Sequence, residues 1–298
     1  MTLKDTVSTG APHPSIGAVV LTMNDRPDEF PSALASLLAQ QGVDLDVVVV
    51  GNGCHPEQIP EGVRTVALPE NIGIPAGRNV GAENVKGEFV FFFDNDAQLP
   101  DHDTLARLAA ELQRDHQLAY VQPRIADPHT GTTLRRWVPR LRAADATRPG
   151  IVTVMAEGVV LVRRSAFALA GGWPDGFFLF HEGIDLAWRL WNHGHTGLYT
   201  PDVIVHHPAT NPARHTRFYR LNARNRVWLA RRNLPRILIP LNLATWWLVT
   251  LWRFREREAL RTSLAGFLEG LRTDCGTRSP MSWRTVARLT CAGRPPVF

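Results

Sequence analysis

The chain has 298 residues, 44% of them hydrophobic and 20% charged, which excludes a disordered protein and allows one large core or two modest ones. Its three cysteines, Cys54, Cys275 and Cys291, form no C-x-x-C pair, which argues against a disulfide framework or a cysteine zinc site and fits a reducing cytoplasm. The net charge of +5 is unevenly spread: residues 1–213 hold 16 basic against 24 acidic residues, whereas residues 214–298 hold 17 arginines against four acidic residues, a balance suited to an anionic partner.

Met1–Asp5 lacks the basic-then-apolar layout of a signal peptide, and residues 1–14 are expected to form a loose tail. Ile16–Thr22 reads as a buried strand, and Phe30, Ala33, Leu34, Leu37 and Leu38 have helical spacing. Leu45–Val50 is almost purely β-branched, the pattern of a parallel strand covered on both faces. Val63–Leu68 is a third strand, Ala76–Val85 a helix, and Glu88–Phe93 a fourth strand running into Asp94. Strands alternating with helices predict a doubly wound α/β sheet. Further along, Arg135–Gly150 reads as an exposed basic link and Val152–Val162 as one strand. Ser165–Ala170 is a short helix closed by Gly171-Gly172, Glu182–His193 a helix, and Val203–His207 a strand. There is no internal repeat.

Ligands of such sheets bind outside the carboxyl ends of the strands. Polar clusters follow four strands there: Thr22-Met23-Asn24-Asp25, then Asn52, Asn71–Asn79, and Asp94-Asn95-Asp96. Two carboxylates at a strand end suit Mg²⁺ or Mn²⁺, with a diphosphate completing the shell. The same string also reads as an Asx-rich turn capping the next helix. No G-x-G-x-x-G, no Walker loop and no G-x-S-x-G elbow accompanies these residues, which argues against a dehydrogenase, a P-loop enzyme and a serine hydrolase. Nor does a Gly-rich, basic loop follow the first strand, as a nucleotidyltransferase would need.

In order along the chain stand Asn52-Gly53, Asn71-Ile72-Gly73, Gly77-Arg78-Asn79, Asp94-x-Asp96, Glu157-Gly158, Gly171-Gly172-Trp173, Phe177 through Arg189, and Pro201–His207. Together they resemble the family 2 inverting glycosyltransferases of GT-A fold, of the bacterial rhamnosyl- and galactofuranosyltransferase kind, over roughly residues 15–235. The resemblance implies a mixed, mostly parallel sheet with helices on both faces and transfer of a sugar from a UDP-, dTDP- or GDP-linked donor to an acceptor hydroxyl. It implies a metal held by Asp96 and by the late histidine, His207 rather than His206, with Asp94 on the ribose or the metal. Thr22, Asn24, Asp25, Asn52, Asn71, Gly73, Arg78, Asn79 and Asp94 are the expected nucleotide-sugar contacts. Arg78 has a second reading as a surface salt bridge. Trp173, Phe178, His181 and Arg189 are expected on the acceptor side, with some of the Phe177–Phe180 aromatics doubling as core.

Two positions depart from the family pattern. The family writes Glu-Asp-x-Asp-Leu-x-x-Arg and commonly uses the second residue as general base, where this chain has Gly183 in Glu182-Gly183-Ile184-Asp185-Leu186-Ala187-Trp188-Arg189. Glu182 and Asp185 remain as candidates. Glu182 sits at a helix start, and Asp185 is placed to pair with Arg189 four residues on, which favours Glu182. Both also read as simple helix caps. Gly51 replaces an aspartate that the family often uses to recognise the nucleotide base.

Residues 234–298 are read as a basic, amphipathic helical extension to a catalytic domain at 15–233. Leu234–Trp252 is apolar but interrupted by Pro235, Arg236, Pro240 and Asn242, too broken for a membrane span. Trp246, Trp247 and Trp252 beside Arg253, Arg255 and Arg257 suit an interfacial helix over anionic headgroups. Packing on the catalytic domain or across a homodimer is the other reading. Arg220, Arg224 and Arg226 come with no recognised nucleic-acid module, so no nucleic-acid partner is expected. Two functions are carried forward: a metal-dependent glycosyltransferase acting on a cell-envelope glycan or lipid-linked acceptor, cytoplasmic or peripheral on the inner membrane face, and a catalytically weak family member that binds a nucleotide sugar and acts through a partner.

Overall fold

The alternation of apolar side chains decides which face of the sheet each helix covers. The computed structural model describes residues 13–139, 145–156, 158–209 and 217–297. Its eight strands lie in the order β3-β2-β1-β4-β7-β5-β8-β6. β1 (Ser15–Thr22), β2 (Asp44–Asn52), β3 (Arg64–Leu68) and β4 (Phe89–Asp94) are parallel neighbours. Ile16, Ala18 and Val20 of β1 and Phe89, Phe91 and Phe93 of β4 point to one face. There they meet α1 (Phe30–Leu38) and α3 (Thr104–Arg114). Val19, Val90 and Phe92 point to the other face, covered by α2 (Ile74–Glu83), α4 (Arg164–Leu169) and α5 (Glu182–Asn192). A strand period of two thus feeds two separate cores.

The second half of the sheet is mixed. β5 (Leu118–Ala126) runs parallel to β8 (Thr196–His206), while β7 (Val159–Arg163) is antiparallel to both β4 and β5. The single strand expected over Val152–Val162 is two: β6 (Gly150–Val152) pairs with β8 at the sheet edge, and β7 lies between β4 and β5. Apolar continuity therefore did not mean strand continuity. α3 and β5 carry no strand-end motif and are supplied by the structure alone. The link after β5 is also not wholly exposed: Trp137 and Val138 are buried, and Gln122 donates a hydrogen bond to the Trp137 carbonyl (3.1 Å). The expected tail and Glu157 fall largely or wholly outside the described residues.

The basic C-terminal region is helical and shares a core with the sheet domain. α6 (Phe218–Asn233), α7 (Leu238–Arg253), α8 (Arg257–Arg272) and α9 (Trp283–Cys291) bury Val227, Trp228, Leu229 and Leu289 against Phe177, Trp188 and Trp191. α6, which precedes the boundary expected at residue 234, packs in this same cluster.

One buried carboxylate joins the two parts. Asp185 of α5 is fully buried, and its Oδ2 accepts from Arg189 (2.7 Å). Its Oδ1 accepts from Arg232 Nε (2.9 Å) and Asn233 Nδ2 (2.7 Å), both on α6. Burial opposes the charge, but Arg189 and Arg232 overcome it and hold the acid below the ordinary aspartate value. Because the folded value is depressed, this stabilisation is complete above the unfolded value of about 4 and is lost as pH falls through the folded one. Asp185→Ala leaves two mostly buried guanidinium groups without their carboxylate, and urea unfolding at neutral pH is expected to show a loss of about 3–5 kcal/mol.

Candidate active site

Register brings the strand ends together. Thr22 stands opposite Gly51, and Leu21 opposite Asp94, so β1, β2 and β4 end at one level. Above them opens a cleft of about 650 Å³. Its floor holds Asp94 and Asp96. The far end of the sheet contributes through a two-residue bridge: Gln98 and His206 exchange backbone hydrogen bonds of 2.8 and 2.9 Å. That bridge pins the end of β8 beside the turn after β4 and turns the next residue, His207, into the cleft.

Asp94, Asp96 and His207 each present one ligand atom within 4.8 Å of the others. His207 Nε2 lies 3.1 Å from Asp96 Oδ1 and 3.5 Å from Asp94 Oδ2. Its Nδ1 is 2.8 Å from the Pro208 carbonyl, which calls for the Nδ1–H tautomer in the neutral ring and leaves Nε2 free to ligate. Trp137 packs edge-on against the imidazole, with ring centroids 5.6 Å apart. Arg78, buried under the floor, donates to Asp94 Oδ1 at 2.7 Å, and Arg26 Nε stands 3.4 Å from Asp96 Oδ2. Two carboxylate oxygens and one imidazole nitrogen, with no thiolate, suit Mn²⁺ or Mg²⁺. Burial works against a charge on His207, yet its hydrogen bonds to Asp94 and Asp96 and their charges raise it to about 10. Burial would likewise raise Asp94, but His207 and Arg78 bring it below the ordinary value.

Two glycines make room for this arrangement. A Cβ on Gly158 would lie 2.1 Å from Asp94 Oδ2, and the Gly158 carbonyl accepts from the Asp94 amide (2.9 Å). The Glu157-Gly158 motif thus includes the clearance for the carboxylate. A Cβ on Gly51 would lie 2.1 Å from the Cys54 carbonyl oxygen. Position 51 has no space for a base-reading carboxylate, because the Cys54–Pro56 turn folds over it.

Of the expected site residues, Thr22, Asp25, Asn52, Asn71, Gly73, Arg78, Asp94, Asp96, Phe178 and His207 line the cleft. Within that set, Asn52 has its amide engaged: it donates to Asn71 Oδ1 (3.0 Å) and the Gly73 carbonyl (3.2 Å) and accepts from Ile72 N (2.9 Å). It shapes the Asn71–Gly73 loop instead of offering itself to a ligand. Arg78 is a buried ion pair, not a surface one.

The remaining expected residues are not on the cleft lining. Asn24 is tied to the His55 carbonyl (2.9 Å) and the Glu57 amide (3.2 Å). Asn79 clamps both backbone groups of Trp173, at 2.9 Å each. Trp173 is core, wedged between Phe92 and Phe167. Arg189 is spent on Asp185 and on the Ala170 and Gly172 carbonyls. His181 faces α6, where Asn222 hydrogen-bonds it; burial and the Arg226 charge hold it well below the ordinary histidine value. Asp185 is the buried clamp described above, and Glu182 is 3% exposed on the first turn of α5, off the cleft lining.

Arg26, Arg136, Trp137 and Arg217, which were not among the expected site residues, also line the cleft. Arg26 follows directly on the first polar cluster and was within reach of that argument. The other three come from segments far along the chain and carry no local signal. Arg136 lies over Trp137 (5.2 Å) and Arg217 over Phe178 (5.6 Å), so the cleft rim is cationic.

Comparison with known proteins adds the following. Residues 18–169 match the family described as Glycosyl transferase family 2. The N-acetylglucosaminyl-diphospho-decaprenol L-rhamnosyltransferase of Mycobacterium tuberculosis is 32% identical over 116 residues, which is 37% of this chain and 34% of that protein's length. Among solved structures, GalNAc-T7 with UDP, GalNAc and Mn²⁺ superposes with a TM-score of 0.64 at 14% identity, over 97% of this chain and 59% of that one. The mannosyltransferase PcManGT from Pyrobaculum calidifontis with GDP-Man and Mn²⁺ gives 0.59 at 19% identity, over 95% and 80%. S. aureus TarS gives 0.60 at 16% identity, over 92% and 50%. At these identities the structural likeness bears on the fold alone.

A divalent ion bound at this group would compete with a proton for His207 Nε2. Because its folded value is raised to about 10, metal binding at neutral pH has to displace that proton. Calorimetric titration with Mn²⁺ is expected to release about one proton per site at pH 7, with apparent affinity rising by up to about tenfold per pH unit. Affinity independent of pH between about 6 and 9 would contradict a metal ligand at His207 that carries a proton at neutral pH.

Proposed function

This chain belongs to glycosyl transferase family 2, and we propose that it moves a sugar from a nucleoside diphosphate donor, with inversion and with a divalent metal, to an anionic lipid-linked acceptor. It is a glycosyltransferase of GT-A fold. The observation that carries the finer reading is the Asp94-Asp96-His207 group, set at the meeting point of three strand ends beneath a cationic cleft. When bound there, a divalent ion supplies the positive charge that stabilises a departing diphosphate. Arg78 and His207 hold the Asp94 carboxylate from either side, Arg26 lies beside Asp96, and Asn52 fixes the loop under the nucleotide end. Arg136 and Arg217 place guanidinium groups on the rim, where an acceptor phosphate is well matched. The rhamnosyltransferase relative, named for a diphospho-decaprenol acceptor, supports the same acceptor class.

One observation favours a second reading, a nucleotide-sugar-binding protein with weak transfer. Gly183 stands where the family's base stands, Asp185 is locked by Arg189, Arg232 and Asn233, and Glu182 is off the cleft lining. In the first reading Glu182, the nearest carboxylate to that position in the chain, is the base and reaches the acceptor only in the loaded enzyme.

Membrane contact accompanies the first reading. Among the described residues no helix is long and apolar enough to cross a membrane. α7 nevertheless carries an exposed apolar stripe with its preceding turn: Ile237, Leu241, Leu248 and Trp252, spaced on one helix face between Arg236 and Arg253. Of the three tryptophans there, Trp246 lies under the Arg226 guanidinium (3.7 Å) and Trp247 packs on Phe267, so Trp252 alone points outward, 75% exposed. The stripe suits shallow insertion among acyl chains, with the arginines at anionic headgroups.

Two measurements test this. A panel of UDP-, dTDP- and GDP-linked sugars with Mn²⁺ is expected to include a donor that is turned over, with the rate falling at least about a hundredfold in Asp96→Ala; binding of a donor without transfer or hydrolysis would select the second reading. Flotation with vesicles is expected to carry the protein upward when they contain anionic lipid, and Leu248→Asp with Trp252→Asp is expected to leave it at the bottom.

A further inference from the structure

We infer that Asn225 is a positioning residue for the aromatic wall of the cleft, keeping the Phe177–His181 loop in a backbone shape that the loop does not favour by itself. The inference rests on reading the cleft as a glycosyl-transfer site. Three residues of this loop that are not glycine have left-handed backbones: Phe178 (φ 65°), Phe180 (φ 75°) and His181 (φ 71°). Side chains with a Cβ disfavour that region, and bulky aromatic ones especially so. Three such residues within four positions need an outside constraint.

The constraint comes from α6. Asn225 is fully buried, and its side-chain amide donates to three carbonyls of the loop: Phe177 (2.9 Å), Leu179 (2.8 Å) and Phe180 (2.9 Å). The carbonyl between them, that of Phe178, turns the other way and accepts from Ile74 N at the start of α2 (2.8 Å). Arg224 donates to the Gly176 carbonyl (3.2 Å) and again to that of Phe177 (2.9 Å), and its Nε donates to Asn225 Oδ1 (2.9 Å). Each carbonyl from Gly176 to Phe180 thus has a donor, and one amide group serves three of them. Phe178, Leu179 and Phe180 line the cleft, so the orientation of those rings follows from where the carbonyls point. A buried asparagine needed only for helix packing would not direct its whole amide at one loop. Here its donors set the wall against which the acceptor lies, while the metal group on the opposite strand ends owes it nothing.

Asn225→Leu keeps the volume and removes the donors; Asn225→Ala removes both. In each variant Mn²⁺ affinity and donor KM are expected to stay within about twofold of wild type, while kcat/KM for the acceptor falls at least about tenfold, the scale on which misplaced contacts act. Chymotryptic cleavage after Phe178 and Phe180 is expected to quicken by about the same factor, without loss of the thermal transition. His181→Gly added to Asn225→Leu takes the left-handed backbone without strain and is expected to restore part of both. Wild-type cleavage and acceptor kinetics in either folded variant would overturn the inference, as would equal losses toward donor and acceptor. If wild type turns over no donor, the transfer reading fails, and the cleavage rates with their rescue by glycine still decide the role of Asn225.

Discussion

The Asp94 carboxylate is held from two sides, and the cleft takes its form from that. Arg78 takes one oxygen from beneath and His207 approaches the other from the far end of the sheet. Each partner arrives by a different route: Arg78 on a helix packed under the sheet, His207 on the residue after the bridge between Gln98 and His206. Gly158 leaves the space in which the carboxylate sits. Asp94 and His207 hold each other charged: the carboxylates raise the imidazole, and the imidazole with Arg78 lowers Asp94.

A buried aspartate, Asp185, does for the architecture what Asp94 does for the site. It ties α5 to α6, and α6 in turn reaches the cleft through Asn225 and Arg224. The helical region is therefore an integral support for the aromatic wall. Its inner face holds the loop in shape, while its outer face, along α7, presents a bare apolar stripe. α6 and α7 thus connect this stripe with the wall of the cleft.

Much of the site was legible from residues alone, for a physical reason. Parallel strands end at one level, so polar residues following successive strands converge, and Thr22, Asp25, Asn71 and Asp94–Asp96 are indeed together on the cleft lining. Asn24, though it follows β1, is taken up by the His55 carbonyl and the Glu57 amide, and Asn79, inside α2, by the backbone of Trp173. The pairing of Asp185 with Arg189 follows from helix spacing; the additional grip of Arg232 and Asn233, which makes Asp185 a clamp between α5 and α6, does not.

By itself, the sequence determined the alternation of strands and helices, the split of apolar side chains between two faces, and the carboxylates at the end of β4. These depend on period and on chain-local spacing. Only the tertiary structure decided that the run after residue 150 is two strands, that Trp137, Arg136 and Arg217 border the cleft, and that Glu182 lies off it. Those outcomes depend on which distant segments share a strand edge or a helix face, and no local pattern encodes such a pairing. The Asp94-Asn95-Asp96 turn was visible as a motif; its partners Arg78 and His207 meet it only because the sheet closes around them.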